Sequence, residues 1–242
     1  MRYLVLSDIH SNLAAFEAVL EDSGPYDRIW CLGDVVGYGP QPNESIELLR
    51  SLPHLCVAGN HDWAAVGRID SSAFNPDALR ACRWTENQLT ASSRGFIEGL
   101  PQTVIEGRFT IVHGSPRYPI WEYISHVGDA QANLAHFDST FCLFGHTHRP
   151  ALFRCGGLAC DCEDLPWLLH EAMDLGSERL LINPGGVGQP RDGDPRASYA
   201  ILDLEADQIE FRRVSYSIEA TQELMLSEGL PPRLAWRLSV GW

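Results

Sequence analysis

Lysine is absent: all eighteen basic residues of this 242-residue chain are arginine. That absence excludes whole reaction classes. A P-loop needs a lysine on the phosphates of its nucleotide, and pyridoxal enzymes and lysine-dependent aldolases need one for a Schiff base. There is no G-x-S-x-G nucleophile elbow and no G-x-G-x-x-G dinucleotide fingerprint. No apolar run approaches the ~18–20 residues of a membrane span. The opening stretch MRYLVLSDIH meets Ser7 and Asp8 too early to hold the apolar centre of a signal peptide. A cytoplasmic protein is expected.

Basic residues are also outnumbered, 18 against 32 acidic ones, for a formal net charge of −14. Such a surface repels phosphate backbones and anionic lipid at long range, so neither a nucleic-acid polymer nor a membrane is an expected partner. Small anionic substrates stay open, because a bound metal can reverse the local field. The length suits a single domain, 1–242, around one substantial core. Of seven cysteines, Cys31, Cys56 and Cys142 lie in apolar runs and read as small buried hydrophobes of a reducing compartment. Cys155, Cys160 and Cys162 form a looser group whose C-x4-C-x-C spacing is not a usual structural-zinc pattern.

Periodicity organises what is present. YLVLS (3–7), RIWCLG (28–33) and HLCVAG (54–59) read as strands separated by helical patterns, the second of them (43–52) with Asn43 in capping position. Strand and helix alternating at this spacing predict parallel βαβ units. Residues 74–100 open with Asn and Pro in N-terminal helix positions and stay helical for much of their length. Short apolar runs at 109–112, 141–144, 180–182, 199–204 and 208–214 predict a second sheet with mixed or antiparallel pairing, with a hairpin turn near 203–208. Residues 154–178 read as irregular.

The polar groups that close the apolar runs carry the chemistry. SDIH supplies Asp8 and His10, GDVVG supplies Asp34, and GNHD supplies Asn60 and His61. VHG supplies His113, and GHTH supplies His146 and His148. In open α/β sheets, ligands sit beyond the carboxyl ends of the strands, where the loops converge. Five of the nine histidines fall in these five places, which scattered surface histidines would not do. As an ordered set they point to a dinuclear metal site.

The order D-x-H, G-D-x-x-G, G-N-H-D, V-H-G, G-H-T-H resembles the calcineurin-like metallophosphoesterases, and within them the small bacterial and archaeal phosphodiesterases of the YfcE type. The likeness runs from residue 4 to about residue 204. It implies an α/β fold, a four-layer α/β/β/α sandwich of two mixed sheets flanked by helices. It implies one divalent metal on Asp8, His10 and His148, a second on Asn60, His113 and His146, and Asp34 bridging both. Manganese or iron is expected, with zinc, cobalt or nickel able to replace them. The implied reaction is hydrolysis of a small phosphodiester, by attack of a metal-bridging hydroxide with His61 protonating the departing alkoxide.

Departures narrow the class. Protein phosphatases of this superfamily carry G-D-x-x-D-R-G, whereas here Gly37 stands where an aspartate would orient the catalytic histidine, and the adjacent arginine is missing. A protein serine/threonine phosphatase is not expected, nor is a close diadenosine tetraphosphatase relative. A phosphomonoesterase or nucleotide phosphatase is the alternative reading of the same site. A non-catalytic metal-binding scaffold, as in the retromer subunit that resembles this family, is disfavoured because His61 is present. Tyr38, Arg117 and Arg191 are candidate substrate contacts, arginine for phosphate oxygens and the aromatic ring for stacking. Trp121 and Tyr123 fit loop packing better.

Overall fold

The computed structural model describes residues 1–156 and 161–242. Its first third follows the predicted alternation: Arg2–Leu6 (β1), Leu13–Asp22 (α1), Arg28–Cys31 (β2), Pro42–Ser51 (α2) and His54–Cys56 (β3). β2 pairs in parallel with both β1 and β3, as βαβ connectivity requires. Asn12 caps α1, its side chain accepting from Ala15 N at 3.2 Å. The cap predicted at Asn43 is not formed, because Pro42 already opens α2. Asn43 instead ties that helix to its neighbour, donating to the Gln88 carbonyl and accepting from Thr90 N.

Asn60–Ala65 (α3) follows, and the predicted helix over 74–100 is two helices, Pro76–Gln88 (α4) and Ala91–Glu98 (α5). Thr90 makes the break. Its backbone is extended and its hydroxyl accepts from Ser93 N at 3.1 Å, a capping geometry that ends one helix and starts the next.

The second sheet begins with Thr103–Glu106 (β4) and Phe109–Val112 (β5). After Val127–Asn133 (α6) come Phe141–Leu143 (β6), Pro150–Gly156 (β7), Asp161–Asp164 (β8), Ala172–Asp174 (β9) and Arg179–Pro184 (β10). Ala197–Asp203 (β11), Gln208–Val214 (β12), Ile218–Ser227 (α7) and Pro232–Leu238 (α8) complete the order. One six-stranded sheet runs β3-β2-β1-β11-β12-β9, the other β4-β5-β6-β10-β7-β8, and both are mixed. The stretch 154–178, expected to be irregular, therefore contains the end of β7 and the short strands β8 and β9. Cys155 and Cys162 face each other across β7 and β8 and are joined by a disulfide; Cys160 lies outside the described residues. The turn predicted at 203–208 joins β11 to β12 as an antiparallel hairpin.

Alternation along the strands builds four layers. Tyr3 and Val5 of β1 face the other sheet, together with Trp30, Phe109, Phe141, Leu143, Leu180 and Ile182. Leu4 and Leu6 face outward onto Phe16 and Val19 of α1 and Ile46 and Leu49 of α2. On the far side, Cys142, Phe144 and Leu181 pack against Ala130 of α6. Trp30 stitches the sheets, stacked on Tyr3 at 4.2 Å and edge-on to Phe109 at 5.2 Å. The two C-terminal helices close over α4, with Met225, Leu234 and Leu238 packed around Ala78, Ala81 and Tyr38. Among the described residues, no helix is long and apolar enough to cross a membrane.

Candidate metal centre

The carboxyl ends of β1, β2, β5 and β6 and the start of α3 open onto one rim. Asp8, His10, Asp34, Asn60, His113, His146 and His148 meet there, all at most 4% exposed. The backbone is bent to deliver them. Asp8, His10, Asp34, His146 and His148 all have φ between 50° and 65°, a left-handed conformation uncommon outside glycine. Each such residue costs ~1–3 kcal/mol and persists only where its surroundings over-determine it. Cross-loop hydrogen bonds do so here: Asp8 N donates to Gly33 O at 3.0 Å and His10 N to Asp34 O at 2.9 Å. Gly59 is needed for space, since a Cβ there would fall on the Asp34 carboxylate.

Two clusters result. In the first, His148 Nε2 lies 3.1 Å and His10 Nε2 3.7 Å from Asp8 Oδ1, and the two Nε2 atoms are 3.2 Å apart. In the second, His113 Nε2 lies 3.1 Å from Asn60 Oδ1 and 3.0 Å from His146 Nδ1. Asp34 stands between them: its Oδ2 is 3.6 Å from His10 Nε2 and 3.3 Å from His113 Nε2. Its other oxygen accepts from His61 N at 2.8 Å, which fixes the carboxylate's orientation.

This arrangement fits cations. Asp8 Oδ1 and Asp34 Oδ2 are buried without a hydrogen-bond partner, although a buried carboxylate oxygen is costly to leave unpaired. The imidazoles are set as ligands by their far nitrogens. Nδ1 of His10, His113 and His148 faces the carbonyls of Val36, Leu32 and Gln189 at 3.0, 2.9 and 2.6 Å. An Nδ1–H donated to a carbonyl leaves the Nε2 lone pair free for the centre. Lone pairs from two rings at 3.2 Å, beside a carboxylate, are a set of mixed nitrogen and oxygen donors that could hold a metal ion. His146 is turned the other way, with Nδ1 inward and its ring stacked on Tyr123 at 3.9 Å.

Electrostatics reflect the crowding. Burial opposes the charge on His113, yet the Asp34 carboxylate, helped by Asp8, lifts it to about 9. Burial pushes His61 down to about 4 against the pull of Asp34. Burial and the charge of Asp34 raise Asp62 to about 7; that carboxyl accepts from Val36 N and Gly59 N and so ties the second and third loops together.

His61 lines the cavity in front of the clusters, packed against Tyr38, Phe74 and His10 at ring distances of 4.3, 4.6 and 4.9 Å. Its Nδ1 has no partner, and a Cβ at Gly37 would come within 2.7 Å of that atom. Glycine here therefore removes an orienting carboxylate and leaves the ring held by aromatic packing. Of the substrate-contact candidates, Tyr38 and Arg191 line the cavity. Arg117 is not brought to it: its guanidinium pairs with Glu122, and its backbone N–H donates to Asn133. Tyr123 and Trp121, taken as loop packing, do line it, and so do Phe74 and Asn75, which the motif reading passed over. Phe74 carries no local signal, and the signal at Asn75 is that of a helix cap, its side chain accepting from Ala78 N at 3.0 Å.

The sandwich and its paired Asp/His clusters define a metallophosphoesterase. Residues 1–207 match the calcineurin-like phosphoesterase superfamily domain, and the chain belongs to that superfamily. A metallophosphoesterase of Sphaerobacter thermophilus is 48% identical and superposes with a TM-score of 0.92, covering 100% of this chain and 99% of that one. An uncharacterised protein of Methanocaldococcus jannaschii is 40% identical over 98% of this chain and 97% of its own length. A symmetrical bis(5'-nucleosyl)-tetraphosphatase of Pseudomonas putida is 36% identical over 76 residues, 26% of each chain.

Proposed function

We propose that the whole chain acts as one metallophosphoesterase domain that hydrolyses a small phosphodiester in the cytoplasm, using two divalent cations, manganese or iron. One observation carries the reading: Asp34 Oδ2 is buried and faces an imidazole of each cluster, 3.6 Å from His10 Nε2 and 3.3 Å from His113 Nε2. Asp8, His10 and His148 would hold one ion, Asn60, His113 and His146 the other, and Asp34 both. When bound, such a pair supplies Lewis acidity toward phosphoryl oxygens and lowers the pKa of attacking water.

The protein's own groups do the rest. Two carboxylates against two divalent ions leave a net positive pocket within an acidic molecule, so a phosphoester is drawn in. Arg191 and Tyr38 flank the space in front of the clusters and orient the phosphate and its substituent. His61 faces the same space and gives a proton to the departing oxygen, a contribution of ~10²–10⁴ in rate. Burial holds its imidazole below the usual histidine range, so the proton it gives must be taken up from solvent as the phosphoester binds.

The test is turnover of bis(4-nitrophenyl) phosphate and of 4-nitrophenyl phosphate by manganese-loaded protein. Faster hydrolysis of the diester supports the reading; a preference for the monoester would replace it with a phosphomonoesterase. No turnover with any divalent metal would leave the scaffold.

A further inference from the structure

The space in front of the clusters has two compartments. An inner cavity of about 270 Å³ is lined by Asp34, His61, His146 and His148. An outer one of about 570 Å³ adjoins it, the two sharing Asn75, Tyr123 and Arg191. Arg149, Arg191, Arg233 and Arg237 all line the outer cavity, against one acidic side chain, Asp77.

Among the described residues, twelve of the eighteen arginines make no ion pair with a side-chain carboxylate, and what sets these four apart is that they gather on one cavity. Arg108, Arg117, Arg154, Arg196, Arg212 and Arg213 are each ion-paired to a side-chain carboxylate. Among the described residues, none of the four in the outer cavity is. Arg149 donates through Nε to the Arg191 carbonyl at 2.7 Å, and Arg191 through Nη2 to Gln189 Oε1 at 2.9 Å. The Arg191 Nε is buried with no partner. Arg237 donates through Nε to a main-chain oxygen of Trp242, the last residue of the sequence and so the bearer of the α-carboxylate, and the Arg233 guanidinium lies 5.7 Å from the Trp242 ring. Burial, with the neighbouring charges of Arg191 and Arg233, brings Arg237 down to about 10. In a chain of net charge −14, four guanidinium groups gathered around one cavity make a local positive field that attracts an anion. They come from separate elements, the turn after β6, the loop after β10, and α8. Arg233 and Arg237 lie beyond the 207 residues that match the superfamily domain.

We propose that the outer cavity is a subsite for an oligophosphate, so that the substrate carries at least one further phosphate beyond the group delivered to the metal centre. The guanidinium groups of Arg149, Arg191, Arg233 and Arg237 hold that extension through charge-assisted, partly bidentate hydrogen bonds. A diester of single charge would leave most of the cavity unused. This inference rests on the phosphoesterase reading for the word substrate, and on the arginines alone for the anion.

Calorimetric titration of the full chain with inorganic tripolyphosphate and with orthophosphate, without added divalent metal, tests it. Tripolyphosphate should bind at least ~10-fold more tightly than orthophosphate, and R233Q/R237Q should weaken it by at least ~10-fold. R149Q, on a different element, should weaken it as well, while R237K should retain more affinity than R237Q. Equal affinity for the two anions, or tripolyphosphate binding unmoved in both R233Q/R237Q and R149Q, would overturn the subsite. Turnover of bis(4-nitrophenyl) phosphate by the manganese-loaded protein separates the two readings. Turnover without tripolyphosphate binding defeats the subsite alone; binding without turnover supports the anion cavity and defeats the hydrolase.

Discussion

The inner and outer cavities are made from opposite materials. The floor of the inner one is built of short, buried side chains at strand ends, several in left-handed backbone, with His10, Asp34, His113 and His148 each oriented by a bond to a neighbouring loop. The outer one is walled by long cations on loops and on α8, two of them, Arg149 and Arg233, exposed. The difference separates two tasks. Metal ligation needs atoms fixed within tenths of an ångström, which only strand ends anchored in a sandwich core provide. Holding a flexible anion needs charge and reach, which arginines on peripheral elements provide without strain.

Substitutions in the inner cavity should therefore abolish chemistry, whereas those in the outer one should shift selectivity. The largest effect is expected from D34N, which removes the charge shared by both clusters. Neither ion should be retained, and turnover should fall to the uncatalysed background. Elemental analysis still finding both ions would break the bridging role. H61A comes next, with a loss of ~10²–10⁴ that grows as the leaving group becomes poorer. Losses of equal size for nitrophenyl and alkyl leaving groups would show that His61 donates no proton.

A smaller effect follows from His113, which without a cation binds a proton up to about pH 9. Below that value the incoming metal must displace the proton, so apparent affinity falls as pH falls, by up to ~10-fold per unit. Titrations in buffers of different ionisation enthalpy would register the released proton. Affinity independent of pH through the neutral range would contradict the assignment. The smallest effect belongs to G37A. Gly37 has φ of +96°, and an added Cβ would sit 2.7 Å from His61 Nδ1. A stability loss of ~1–3 kcal/mol is expected, with slower turnover as His61 is displaced. A variant with unchanged melting and turnover would show that aromatic packing alone does not position that ring.

The same contrast explains what could be read from the chain. The two Asp/His clusters were legible because polar residues stand where apolar strands stop, and five such interruptions in order are hard to obtain otherwise. The parallel βαβ start was legible from local periodicity. The pairing of β1 with β11 was not, because Val5 meets Ala200 across nearly the whole chain. β8 and β9 were missed because DCED and AMD are short and mostly exposed, without the apolar alternation that marks a strand. Thr90 looked like any polar residue in a helix until its cap geometry was visible. Arg117 and Arg191 looked alike in sequence, yet Glu122, five residues after Arg117, engages the first, while the second faces the clusters. Arg233 and Arg237, four apart on α8, lie beyond the motifs and carry no signal of their own. Only the docking of α8 by Leu234 and Leu238 turns them toward the cavity.

Anomalous diffraction from manganese-soaked crystals tests the central claim most directly. Two peaks should flank Asp34 Oδ2, ~3.5–4 Å apart, one against Asp8, His10 and His148 and the other against Asn60, His113 and His146. A single peak, or manganese bound only away from Asp34, would contradict it.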